Sequence, residues 1–327
     1  MAEPGTHDEE RVTLATLPSS VPIQTTVHVY EGTKPGPTLY VQAAQHGREI
    51  NGTETLRRVH ERFDLEELSG RLIAVPVANP LTFDRVSYTT PEPLDSVNPN
   101  MNRIWPGDRD GSLHERMATR LWEYASEADA IVDLHTGSPS MHPHVVYLAG
   151  DGKSRELAEA FGTERLLGEL ADEEADEEWE RRNFAGKLRV AATNEGIPSI
   201  TPELAHNRVI VEEAVKIGVR GVFDVMRHME MIPGEPSNEK RPLIGRNHLG
   251  RVIARESGFF RADPSRQLGE RVSEGTPLGT LYDPASYEVL QEAVADRDGV
   301  LYALTHEATV TAGQKLANVA EVVEERA

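Results

Sequence analysis

The stretch Ala130-Ile131-Val132-Asp133-Leu134-His135-Thr136-Gly137 decides the fold. Apolar residues run without alternation from Ala130 to Leu134, broken only by Asp133, and end in a histidine and a glycine turn. A run of that kind reads as a strand buried on both faces, as in a parallel sheet covered by helices. In open sheets of this class, sites form beyond the carboxyl ends of the strands, which is where His135 falls. Asp133 lies two residues earlier and points to the same side as His135, so it can accept one imidazole N–H and fix the ring's orientation.

Working outward, Thr38 to Ala44 reads as a second strand, followed by Gln45-His46-Gly47-Arg48-Glu49-Ile50-Asn51-Gly52 and a helix over Thr53 to Phe63. The turn spaces His46 and Glu49 so that both can aim at one point. Two imidazoles and a carboxylate form a ligand set that zinc accepts, with one position left for water. Taken alone, the His46/Glu49 spacing is weak, because short polar turns are common. Further strands are expected at Leu72 to Val77, Val145 to Leu148 and Ser199 to Leu204. Helices are expected at Glu115 to Ala125, Arg155 to Glu169 and Val211 to Met229. Strands alternating with helices predict an α/β domain with a mostly parallel or mixed sheet.

Glu203, in Ile200-Thr201-Pro202-Glu203-Leu204, is placed to act as general base and then general acid on a zinc-bound water. Asn102 and Arg103, in a loop ending Pro106-Gly107, suit a substrate carboxylate, because arginine offers a bidentate fork. Arg85, shortly after Asn79-Pro80, is a further candidate cation.

Pro and Gly without periodicity mark a linker at 233–242. It divides a catalytic region, 1–232, from a small all-β region, 243–327, of short strands punctuated by glycine. The run Glu169 to Glu178 is the densest acidic stretch and reads as a solvated face or an insertion.

Of the 327 residues, 54 are Asp or Glu and 34 are Lys or Arg, a formal charge of −20, and there is no cysteine. This excludes disulfides and Cys-ligated metals, and it disfavours a nucleic-acid partner. No apolar run is long enough to span a membrane, and the acidic N-terminus lacks a secretory signal, so a cytoplasmic protein is expected. Few lysines and many carboxylates resemble proteins of salt-loving organisms, whose self-repulsion salt screens; activity is then expected to fall when salt is removed.

His46-Gly-Arg-Glu49, Asn79-Pro80, Asn102-Arg103-x-x-Pro-Gly, Asp133-Leu-His135-Thr and Thr201-x-Glu203-Leu occur in one order. That order resembles the succinylglutamate desuccinylase/aspartoacylase family of zinc carboxypeptidase-like hydrolases, over about Thr38 to Met226. The resemblance implies one zinc on His46, Glu49 and His135, with Glu203 as base and acid. It implies carboxylate binding by Asn102 and Arg103, and Arg85 as the nearest match for an arginine that polarises the scissile carbonyl. Arg48 replaces the acidic or amide residue common at that place in the family. The implied reaction is hydrolysis of the amide in a small N-acyl amino acid. A carboxypeptidase and a non-catalytic zinc or ligand binder are the alternatives. The last region resembles the family's β cap and, in part, biotinyl or lipoyl carriers. Its only lysine, Lys315, sits away from a hairpin tip, so a lid or a homo-oligomer surface is expected instead.

Overall fold

The computed structural model describes residues 4–91, 94–95, 97–137, 140–170, 179–180, 183–237, 242–246 and 251–324. The acidic run from Ala171 to Glu178 and the part of the linker at 238–241 lie outside the described residues.

The chain opens with strands β1 (Thr6–Thr16), β2 (Pro22–Glu31) and β3 (Lys34–Ala43), helix α1 (Asn51–Arg62), strand β4 (Ser69–Val75) and the short helix α2 (Pro80–Phe83). Helix α3 (Leu113–Ala125) leads to β5 (Ala130–Gly137) and β6 (His144–Leu148). Then come α4 (Gly152–Phe161), β7 (Arg165–Glu169), α5 (Leu188–Asn194), β8 (Ser199–His206) and α6 (Glu212–His228). The last part is all strand: β9 (Leu243–Arg246), β10 (Val252–Ile253), β11 (Gly258–Ala262), β12 (Arg271–Val272), β13 (Pro277–Tyr282), β14 (Val289–Val294), β15 (Gly299–Leu304), β16 (Thr309–Val310) and β17 (Lys315–Glu324).

Two sheets result. The larger runs β1-β2-β4-β3-β5-β8-β6-β7-β9-β17-β15-β12, with β10 beside β17. It is mixed: β4, β3, β5 and β8 are mutually parallel, and β6 meets β8 antiparallel. The smaller sheet, β14-β13-β11-β16, is antiparallel throughout. Strand β5 is buried at all eight positions, as its unbroken apolar run requires. Helices α1, α4 and α6 cover one face through Leu56, Val59, Leu157, Phe161, Val215 and Val222. Helices α3 and α5 cover the other through Met117, Leu121, Leu188 and Ala192. Each of the larger side chains among these, Val, Leu, Met or Phe, contributes roughly 1.5–3 kcal/mol when taken from water, before conformational entropy is subtracted.

Two local readings change. The span Arg155 to Glu169 is not one helix: Gly162 adopts φ +81° and ends α4, and Arg165–Glu169 turns into a strand with Leu166 and Leu167 both buried. A left-handed glycine is a common helix stop, and it breaks the apparent period here. The N-terminal strands β1 and β2 also go beyond the sequence reading, although Ile23, Thr25, Val27 and Val29 alternate inward as a half-buried strand should. The C-terminal strands do more than form a separate unit. Strand β17 pairs with β9 and carries the large sheet onward, while Tyr302, Ala303 and Ala320 pack on Val146 and Leu167.

Candidate active site

Parallel pairing brings the chemistry together. Strands β3 and β5 lie side by side and leave the sheet at the same end, with Ala43 opposite Leu134. Strand β8 lies on the other side of β5, and His135 stands directly opposite Glu203. Immediately past β3, Ala44 takes a left-handed φ of +50°, which swings the chain out of the sheet into the His46–Glu49 turn. Non-glycine residues in that region are strained and cluster at functional sites. Gly47 is needed for a different reason: a Cβ there would sit 2.0 Å from the carbonyl of Thr82.

His46, Glu49 and His135 are buried, and their ligand-capable atoms lie within 4.8 Å of one another. His46 Nδ1 is 3.0 Å from Glu49 Oε1, and His135 Nδ1 is 2.9 Å from Glu49 Oε2. The far nitrogens face acceptors: His46 Nε2 is 3.1 Å from Asn100 Oδ1, and His135 Nε2 is 2.9 Å from Asp133 Oδ2. Each imidazole therefore donates through Nε2 and turns the Nδ1 lone pair inward, the arrangement that metal-binding histidines need. Asp133 is itself held, accepting from Gln42 Nε2 at 2.8 Å and Gln45 Nε2 at 3.1 Å. Those amides are anchored in turn by the Tyr40 hydroxyl, at 2.9 Å from Gln42 Oε1, and by Trp105 Nε1, at 2.6 Å from Gln45 Oε1.

The electrostatics ask for a cation. Burial pushes the Glu49 carboxyl up, but the two imidazoles overcome it and hold it at about 2. Burial would also lower His135, yet Asp133 and Glu49 on either side hold its pKa well above the ordinary value. A buried imidazole between two carboxylates stabilises positive charge, and a divalent metal at the inward nitrogens supplies it. The donor set, its burial and the oriented lone pairs fit a zinc-type ion.

These residues open into a cavity of about 680 Å³ that also includes Glu203, Asn102, Arg103 and Arg48. Glu203 Oε2 is buried and has no hydrogen-bond partner among the described residues. Burial raises its pKa, helped by the charge of Glu49 and opposed by His135. Asn102 Oδ1 accepts from the Leu188 N–H at 3.3 Å, and the Arg103 guanidinium lies 4.8 Å over the Phe184 ring. Arg85 is elsewhere: it is exposed, bonds the Leu81 carbonyl at 3.1 Å and does not line the cavity. The expectation that Arg85 reaches the scissile bond is therefore corrected, because the turn after α2 carries it outward. Arg48 does line the cavity, with its guanidinium 5.1 Å over Tyr88, which stacks on His46 at 3.9 Å.

Several lining residues had no signal in the sequence. Lys187 Nζ lies 3.0 Å from both Glu169 oxygens, and Arg189 ion-pairs the same carboxylate; all three are buried. Tyr302, Asn318, Arg251 and Lys315 come from the C-terminal strands and the stretch before them. Nothing local marks such a cluster, since it forms only when distant strands meet. Asn100 was within reach, standing two residues before Asn102 in the same motif.

Residues 35–229 match the succinylglutamate desuccinylase/aspartoacylase catalytic domain. The chain belongs to that family. It is 31% identical over 307 residues to the N-alpha-acetyl-L-2,4-diaminobutyric acid deacetylase of Halomonas elongata, covering 88% of this chain and 83% of that one. Its fold matches a succinylglutamate desuccinylase from Silicibacter sp. TM1040 (TM-score 0.83, 22% identity, 98% and 96% of the two chains). It also matches the product-bound ectoine utilization protein EutE (DoeB) of Ruegeria pomeroyi (TM-score 0.82, 22% identity, 98% and 96%). As a member of this family the chain is a deacylase, and its buried His46/Glu49/His135 triad is consistent with the metal ion typical of these enzymes. No helix among the described residues is long and apolar enough to cross a membrane.

Proposed function

We propose that the protein hydrolyses the amide bond of a small N-acyl amino acid, with an Nα-acetylated diamino acid as the first substrate to try. The observation that carries this reading is the unpartnered buried oxygen of Glu203 in the cavity that holds the His46/Glu49/His135 cluster. Its raised pKa gives Glu203 the basicity a general base needs. The kinship with the diaminobutyrate deacetylase supports the substrate class.

Zinc on His46, Glu49 and His135 would supply Lewis-acid activation of water and of the amide carbonyl. Glu203 removes a proton from the attacking water and returns it to the departing nitrogen. Arg103 and the Asn102 amide hold the substrate carboxylate, and Arg48 is the cavity cation in the role first given to Arg85. Tyr302, Asn318 and Lys315 add a wall from the C-terminal strands to the cavity, which supports a compact substrate over a long peptide.

Glu203→Gln keeps the shape and removes the base. It is expected to retain full metal content while turnover falls by roughly 10²–10⁴. The assay measures acetate release from Nα-acetyl-2,4-diaminobutyrate, with N-succinylglutamate and a C-terminal dipeptide as comparison substrates. Near-normal turnover in the variant overturns the assignment of Glu203, and no hydrolysis of any substrate by the wild type favours a ligand-binding role.

A further inference from the structure

A second group of imidazoles and a carboxylate lies away from the cavity, on the first two strands. In the β1–β2 register His7 stands opposite Tyr30 and Glu9 opposite His28. Alternation along each strand puts these four side chains on one face. The ligand-capable atoms of His7, Glu9 and His28 lie within 4.8 Å of one another. His7 Nε2 is 3.1 Å from His28 Nδ1, and Glu9 Oε1 is 4.0 Å from that same nitrogen. Two nitrogens bound to one tetrahedral zinc, each at about 2.0–2.1 Å, stand roughly 3.3 Å apart. The imidazole pair therefore already has the spacing that a metal would impose.

The rings are also held in place. Tyr30 stacks on His7 with centroids 4.3 Å apart, and its hydroxyl lies 2.8 Å from Nδ1 of His60 on α1. The Glu9 side chain is 63% exposed, so it can swing inward while water completes the coordination. Fixed imidazoles with a mobile carboxylate lower the ordering cost of binding.

We propose that His7, Glu9 and His28 form a second metal site, selective for a borderline divalent ion of the zinc, nickel or copper class. Two nitrogen donors disfavour magnesium and calcium, which prefer all-oxygen shells. The bound ion ties the edge strand β1 to β2. Strands β2 and β4 separate β1 from β3, the strand that leads into the catalytic turn, so the ion takes no part in hydrolysis.

The test uses the full chain, stripped with chelator, dialysed and titrated with Zn²⁺ alone by calorimetry, with metal analysis after gel filtration. Wild type is expected to take up two equivalents. The double variant His7→Ala/His28→Ala is expected to take up one, with kcat and KM unchanged. His46→Ala loses activity but keeps the edge-strand event, which separates the two sites. Glu9→Gln, at an exposed position, is expected to weaken the edge event tenfold or more, and it carries the test should the double variant fail to fold. A single equivalent in wild type, two equivalents in the double variant, or unchanged affinity in Glu9→Gln each overturns the proposal.

Discussion

His144 shows how much one side chain can depend on its surroundings. It is buried beside the cavity, donates through Nδ1 to the His142 carbonyl at 2.8 Å, and meets Tyr302 edge-on with centroids 5.2 Å apart. Burial lowers its pKa from 6.5 to about 4. The depressed value fixes the sign. Between these two pKa values the unfolded chain binds a proton that the native state refuses, so stability falls as pH drops from 7 towards 4. The loss from this residue at pH 5 relative to pH 7 is about 2 kcal/mol. Urea unfolding of wild type and His144→Gln at both pH values checks it: the variant's profile should be flatter. Parallel profiles would show that His144 is not the group responsible. The sequence offers His144 only as a polar residue beside an apolar strand, and its lowered pKa comes from burial, reinforced by the charges of His142, Lys315 and Arg165, two of them distant in the chain.

At the scale of the element, the turn after β3 is the part most tightly specified. His46 and Glu49 share a turn that can aim both at one ion, and this much was legible in their spacing. The role of the intervening Gly47 was not, because it depends on α2. A Cβ at Gly47 would lie 2.0 Å from the backbone of Thr82 and 2.1 Å from that of Phe83. Backbone cannot yield as a flexible side chain can, so Gly47→Ala must displace the turn. Gly47→Ala is expected to lower zinc affinity by at least tenfold, measured by competition with a chromophoric chelator, and to cost more than 1 kcal/mol of stability. Unchanged affinity would show that the turn can shift without moving His46. The helix expected over Arg155 to Glu169 fails by the same logic of local geometry. Gly162 stops the helix, and the following leucines are buried as a strand between β6 and β9.

Across the whole molecule, charge changes sign with scale. The chain carries −20, and its far field repels an anionic substrate. Among the described residues the cavity, by contrast, is lined by six cations (Arg48, Arg103, Lys187, Arg189, Arg251 and Lys315) and by four carboxylates (Glu49, Glu169, Glu203 and Glu307). Salt screens the two fields unequally, because the Debye length falls to about 3 Å at 1 M while enclosed contacts are shielded from ions. Raising NaCl from about 0.05 to 1 M should therefore increase kcat/KM for a net-anionic substrate such as N-succinylglutamate, several-fold on the usual scale of electrostatic steering, and change it much less for the zwitterionic Nα-acetyl-2,4-diaminobutyrate. A steady decrease would mean that the cavity cations already dominate capture at low salt.

Strand polarity, the turn that brings His46 and Glu49 together, and the placing of His135 and Glu203 at the ends of neighbouring strands were all legible in the sequence itself. Each rests on short-range rules: side-chain alternation, turn chemistry and the placement of sites past parallel strand ends. The tertiary structure alone decided that Arg85 points away while Arg48 faces the cavity, and that Glu169, Lys187 and Arg189 meet in one buried cluster. It also decided that the C-terminal strands finish the cavity wall with Tyr302, Asn318 and Lys315. The physical reason is range. A strand's period repeats every two residues and can be read locally, whereas a cavity's charge is assembled from segments that only the completed sheet brings within a few ångström of one another.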